Sequence, residues 1–393
     1  MEILTEKIDL NNLDKSNWET FKFDEIAQKI SKTIDPNETT LETYVGLEHI
    51  NGGDIHIRSK GSTNDVKGGK LRCYPGDVIF GKRRAYLRKA AIVDFDGICS
   101  AHAFVLRANQ EVIDSKLFPF FLHSNQFMHR MVDISVGGLS PTINWGDLRH
   151  QEFLLPPKDQ QNQLVKLLSA MDDLVEGNLK VHSKLILLNK STKKKLLTPQ
   201  EMENWEFKSL SELFTKITQK NKENITDNVL TISAEHGLIS QEEYFNRRVS
   251  SKNISNYYIL ETGDFAYNKS YSNGYPAGAI KVQHRYELGV VSPLYICFRP
   301  AQKGLHNSYY EHLFDMGYLN QQILSVAKEG ARNHGLLNVA GGDFFNLKVP
   351  LPALSYLKKV IPVINTLDVN ICKSDSIISK SKSLQKSLIN QIF

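Results

Sequence analysis

Between Lys67 and Lys89 the chain sets Lys67, Lys70, Arg72, Lys82, Arg83, Arg84, Arg88 and Lys89 against a single acid, Asp77. A cationic run of this density attracts phosphates, because local positive potential concentrates polyanions whatever the net charge of the whole molecule. Within it GDVIFGK (76 to 82) has the spacing of a phosphate loop, but Arg83 stands where a Ser or Thr should hold magnesium. The intervening residues also read as a strand, so nucleotide binding is the weaker reading. Catalytic patterns are missing elsewhere. The twelve histidines form no HExxH, the cysteines (Cys73, Cys99, Cys297, Cys372) show neither metal-ligand nor CxxC spacing, and Pro156 and Pro157 are not part of an NPPY-type methyltransferase signature. No carboxylate and lysine cluster suggests a nuclease. The remaining chemistry is binding, and two polar, Gly-rich loops could take part: SVGGLSPTINWG (135 to 146) and KEGARNHGLLNVAGG (328 to 342).

Each loop lies just before a strand-like run that feeds a long helix. In the first, from Lys158 to Leu197, positions 164, 167, 171, 174, 178, 181, 185 and 188 read Leu, Leu, Met, Leu, Asn, Val, Leu, Leu, a heptad seam with one polar break. Pro156 and Pro157 permit a helix to begin there and Pro199 stops it. Such a helix spans roughly 60 Å and needs a partner of similar length. Residues 353 to 393 supply one. An offset of 196 brings Val360, Val363, Leu367, Ile377 and Leu384 onto the first seam and Asp368 onto Asp172. Pro362 predicts a kink or restart near Ile361. Antiparallel packing by helix midpoints would set Asn178 beside Asn370 and return Phe393 to the first globular segment.

The globular segments are themselves copies. NWETFKFDEIAQKI (17 to 30) corresponds to NWEFKSLSELFTKI (204 to 217), each reading as a short amphipathic helix behind an aromatic anchor. Gly76, Asp77 and Lys82 correspond to Gly263, Asp264 and Lys269. The reading is therefore α+β: two similar mixed α/β domains joined by two long helices in an antiparallel coiled coil, with a pseudo-two-fold relation. The boundaries are 1–156, 157–197, 198–352 and 353–393. The net charge of +5 resides on the helices, at +4 each, while the globular segments are −2 and −1. Any polyanion-binding face on them must be local. The polar N-terminus and the short apolar runs predict no membrane segment and a cytoplasmic location.

Two modules of about 150 residues, each followed by a helix entered through LLPP or PLP, with PGDVIF (75 to 80), ETGDFAYNK (261 to 269) and the PPKDQQ helix entry, resemble the specificity subunit of type I restriction-modification systems. That resemblance implies target recognition domains that each read half of a split DNA sequence, held apart by the coiled coil. It implies a subunit with no catalysis of its own, partnered by double-stranded DNA, two adenine-N6 methyltransferase subunits and a restriction motor-nuclease. No cofactor is expected here; S-adenosylmethionine and ATP would sit on those partners. The DNA-binding candidates are Lys82, Arg83, Arg84 and Tyr86 with Ser140, Thr142 and Asn144, then Lys269, Tyr271 and Asn273 with Arg332, Asn333 and His334. The competing readings are a coiled-coil adaptor that never reads DNA and an enzyme whose catalytic residues escape notice.

The repeat generates a test. A fragment ending near Pro199 leaves its helix without a partner, and each exposed seam residue forgoes roughly 1.5 to 3 kcal/mol of burial. A second copy of the helix can substitute, so a closed dimer should form. A stable monomer at micromolar concentration in sedimentation would show that the two helices are not interchangeable.

Overall fold

The computed structural model describes residues 13–199, 205–233, 237–246, 253–271, 274–302, 304–327 and 337–393. The chain divides into two compact units, Met1–Val181 with Ser374–Phe393, and His182–Lys373. Among the described residues no helix is long and apolar enough to cross a membrane.

In the first unit the strand Glu19–Lys22 pairs antiparallel with Glu152–Leu155, the run that feeds the central helix. The helix expected over 17–30 shrinks to one turn, Phe23–Ile26, followed by the strand Ala27–Ile30. The Glu25 carboxylate accepts the Lys22 N–H at 2.7 Å and closes that turn. Residues 27–30 are then taken by antiparallel pairing with Val105–Ala108, so sheet register overrides local helical periodicity. The resulting sheet runs Ala27–Ile30, Ala103–Ala108, Val78–Gly81, Ala90–Ile92. Below it Phe23, Phe80, Phe121, Phe127 and Phe153 form a buried ring cluster.

The second unit repeats this plan. Glu206–Ser209 pairs with Lys348–Leu351, a single turn Leu210–Leu213 follows, and the four-stranded sheet runs Phe214–Lys216, Ile296–Pro300, Phe265–Asn268, Ala279–Val282. Here too the turn replaces the longer helix expected over 204–217. Both sheets share one device at the Gly-Asp turn. Asp77 is fully buried and takes two bonds from Arg107 at 2.7 and 3.1 Å; Asp264 takes two from Arg299 at 2.8 and 2.7 Å. The turn glycines, Gly76 and Gly263, have φ of 90° and 94°, a region that side chains avoid.

The central helix is Lys158–Leu197 and the C-terminal helix Leu354–Ile392. In the first unit Leu164 and Leu168 share a core with Ile389 and Ile392, and Phe393 stacks edge-on against Trp18 and Phe121 at 6.5 and 5.4 Å. The last residue thus returns to the first globular segment, as antiparallel packing requires. In the second unit Leu197 shares a core with Leu357, Val360, Ile361 and Ile364.

Three expectations about the coil change. Its buried line runs through Gln161, Leu164, Leu168, Met171 and Val175, while Leu174, Val181 and Leu188 stay half-exposed. Apolar doublets at 167–168 and 174–175 leave the phase open in sequence, and Gln161 settles it. That side chain is buried, donates to Val112 and Pro156 carbonyls at 2.8 Å each, and accepts from Asp114 N–H at 2.7 Å, fixing the rotation of the helix at its entry. Second, Asn370 is exposed, and Asn178 instead donates to Ser381 Oγ at 3.4 Å, about three turns further along. Third, the C-terminal helix does not restart at Pro362. Proline removes one backbone bond, but its exposed face lets water satisfy the orphaned Lys358 carbonyl while buried Val360, Ile361 and Ile364 hold the other side.

Two aspartates related by the 196-residue offset tie helices to modules. Asp172 accepts from Gln385 of the opposite helix at 2.9 Å and meets His56 Nε2 at 2.8 Å. Asp368 takes Asn189 and Lys193 of the opposite helix at 2.8 and 2.7 Å, with His312 Nδ1 3.6 Å away. Asp172, helped by Glu176 and opposed by burial and Arg58, raises His56 above its ordinary 6.5, so folding favours its protonated form. The stability it adds is complete below about pH 6.5 and is lost as pH climbs through the folded-state value. Thermal melts from pH 6 to 9 (roughly the range that brackets this loss) should therefore diverge least at high pH between wild type and His56→Gln; a pH-independent difference would remove the charge from the clamp.

Candidate nucleic-acid interface

The inner strand Val78–Gly81 delivers Lys82 to its C-terminal end, so the phosphate-loop spacing is occupied by strand backbone rather than an anion nest. After it the chain turns through Ala85–Leu87, flanked by Arg84 and Arg88 at φ of 53° and 51°. Left-handed backbone is uncommon at non-glycine residues and tends to mark a position under functional constraint. The turn buries Ala85 and throws Tyr86 outward at 56% exposure.

Onto this turn folds the loop 135–146. Val136 and Thr142 exchange both backbone bonds, at 3.0 and 2.9 Å, closing a tight hairpin. Thr142 bridges to Arg83, Arg84 N–H donates to Pro141 O at 2.8 Å, and Ile143 N–H to Lys82 O at 2.9 Å. Thus Lys82, Arg83 and Arg84 share one rim with Ser140, Thr142 and Asn144, residues about sixty positions away in sequence. Asn144 then starts the short helix Trp145–Leu148, its amide 3.3 Å from the Asp147 carboxylate. Arg83, Arg84 and Asn144 are exposed; Lys82, Ser140 and Thr142 are half-buried.

The rim has an aromatic floor. Lys82 Nζ lies 5.5 Å from the centre of Phe104, Lys29 Nζ 5.4 Å from that of Trp145, and the two rings meet edge-on at 5.9 Å. Burial, then Lys29 and Arg83, hold the Lys82 ammonium below its ordinary pKa. His102 is lowered by burial first, then by Arg83, Lys82 and Lys70. Several cations brought this close repel one another, and an anion seated among them would relieve that repulsion.

Not every basic residue of the 67–89 run serves the rim. Arg72 is buried, bonds the Gly97 carbonyl at 2.7 Å and pairs with Asp96, so it is structural. Lys70 caps the Lys67 and Gly68 carbonyls, Arg88 reaches Asn125, and Lys89 reaches the Leu47 carbonyl. The sequence shows charge, not where the side chains spend it.

In the second unit Lys269 follows the corresponding strand and its carbonyl accepts Leu337 N–H at 3.0 Å, as Lys82 accepts Ile143. Tyr271 is 63% exposed beside it. Asn273, Arg332, Asn333 and His334 lie outside the described residues.

Residues 15–182 match the family model described as "Type I restriction modification DNA specificity domain". Over that stretch the chain is similar in sequence to type I specificity subunits. It is 28% identical over 153 residues to the type I restriction enzyme EcoDI specificity subunit of Escherichia coli, covering 38% of this chain and 34% of that one. The chain therefore matches about a third of that relative's length. A solved structure concerned with assembly and conformational transition of a type I restriction-modification system shares the fold over 95% of this chain and 96% of its own, with TM-score 0.57 and 17% identity. The specificity subunit from M. genitalium does so over 96% of each chain, with TM-score 0.54 and 14% identity.

Lys29, His102 and Leu139 are not singled out by the sequence. Lys29 sits in a stretch read as helix, which hid its place at the sheet edge, and Leu139 is the apolar tip of a loop read as polar. His102 offers a reporter. Its NMR titration midpoint should rise in Arg83→Ala, because one of the charges that disfavours its imidazolium is gone; an unmoved midpoint would separate Arg83 from the cluster.

Proposed function

We propose that the chain is the non-catalytic DNA-recognition subunit of a type I restriction-modification enzyme, each unit reading one half of a bipartite target. The observation that carries this is the rim: Lys82, Arg83 and Arg84 are locked by backbone contacts to Ile143, Thr142 and Pro141, which places them beside Ser140 and Asn144. Cations fix the unit on phosphates, and short polar side chains beside them reach base edges. In the second unit Lys269 and Tyr271 take the corresponding place, with Asn273, Arg332, Asn333 and His334 proposed on sequence alone.

Adenine-N6 methyltransferase subunits are the proposed partners on the helices, with a motor-nuclease subunit added for restriction; S-adenosylmethionine and ATP belong to them. Support comes from apolar side chains that the coil leaves half-exposed: Leu174, Val181, Ile377 and Leu384 in the first unit, Leu188 and Val363 in the second. Those on each helix recur at heptad spacing beside the seam, as a further helix would need.

Arg83→Ala should weaken binding to all duplexes about equally and flatten the slope of log K against log salt by up to about one unit. An unchanged slope would take the rim off the DNA.

A further inference from the structure

We infer that Leu139 is an apolar wedge that inserts against the base stack, making the deformability of the DNA a part of what the first unit reads. The inference rests on the DNA-binding reading above and adds a residue and a mode of readout to it.

Leu139 is 98% exposed. Single exposed apolar residues are ordinary on protein surfaces, so exposure alone decides nothing. Three further features set it apart. First, the loop bearing it is not a loose connection: the paired backbone bonds of Val136 and Thr142 close it, and the Arg84 to Pro141 bond pins it to the turn that follows the strand Val78–Gly81. Gly137, at φ 111°, permits the sharp reversal. Second, Val136, at the hairpin base, is itself 57% exposed, so the tip is a short apolar ridge. Third, the hairpin is joined through backbone to a cationic segment: Arg83 and Arg84 meet it at Thr142 and Pro141 and Lys82 at Ile143, and the loop itself carries no acid between Asp133 and Asp147.

A ridge of this kind gains nothing from a phosphate and is poorly solvated in water. Against DNA the two parts divide the work. Lys and Arg hold the strands on either side, and leucine fills the space opened when a base step unstacks. Unstacking is cheapest at pyrimidine–purine steps, so the wedge favours half-sites with such a step at the contacted position. A protein partner for the ridge would meet these cations as well, and the charge balance favours a polyanion.

The test uses the full chain and duplexes it selects from a randomised pool, with 2-aminopurine substituted in turn at each pyrimidine–purine step. Wild type should raise 2-aminopurine fluorescence at one step. Leu139→Ser should abolish that signal and lower affinity by about tenfold, the equivalent of one unstacked step left unfilled, while keeping the wild-type salt slope. Leu139→Met, which keeps an apolar tip, should retain both. Because Leu139 is outside the core, all variants should melt with wild type. Equal affinity and fluorescence for wild type and Leu139→Ser would overturn the wedge and leave the DNA reading standing. So would a Leu139→Ser chain that binds duplex as wild type does but, when an adenine-N6 methyltransferase subunit is added, no longer retains it, which would make the ridge a protein contact. A wild-type chain that binds no duplex would overturn both readings.

Discussion

Neither unit completes its core without the helices. Leu164 and Leu168 lie against Ile389 and Ile392 beneath the first sheet, and Leu197 against Leu357, Val360 and Ile364 in the second. A 40-residue amphipathic helix cannot bury its stripe on itself, and the C-terminal helix comes from the far end of the chain. The first unit is therefore finished by a segment remote in sequence, Ser374–Phe393, while the second, His182–Lys373, is closed by the two helix stretches that flank its own module. That long-range closure is the constraint on which register, sheet edge and rim depend.

Polar contacts make the closure specific where apolar packing would leave it loose. Gln161 sets helix rotation at the entry, while Asp172 and Asp368 each join an opposite-helix partner to a histidine of the adjacent module. A hydrophobic seam tolerates slippage by a heptad; a half-buried carboxylate with two geometrically distinct partners does not. The module consequently has a defined attitude on its own stretch of coil, which a reader of base edges requires.

At the rim the same logic operates with the sign reversed. The protein assembles like charges for which no acidic partner is found among the described residues, at some expense in desolvated Lys82 and left-handed Arg84. The basic residues that sequence places in the same run but that find carbonyl or carboxylate partners, Arg72 above all, are part of the scaffold. Charge left unsatisfied on a rigid edge marks the surface where an external anion would complete the arrangement.

The sequence by itself determined the repeat, including the correspondence of Gly76 and Asp77 with Gly263 and Asp264, and the two long helices, because these rest on local periodicity and matching residue types. It also marked Lys82 to Arg84 and the loop at 135–146 as candidates. Tertiary structure alone decided that these two segments share a rim, since a backbone ladder between residues sixty positions apart leaves no local signature. It turned 17–30 from helix to strand, turn and strand, because the pairing of Ala27–Ile30 with Val105–Ala108 outweighs helical spacing. It moved the seam from Leu174 to Val175 and paired Asn178 with Ser381, since adjacent apolar doublets leave helix phase undetermined until Gln161 anchors it. Pro362 shows the same division: its intrinsic preference was legible, but whether the helix continues depended on which face of it met water.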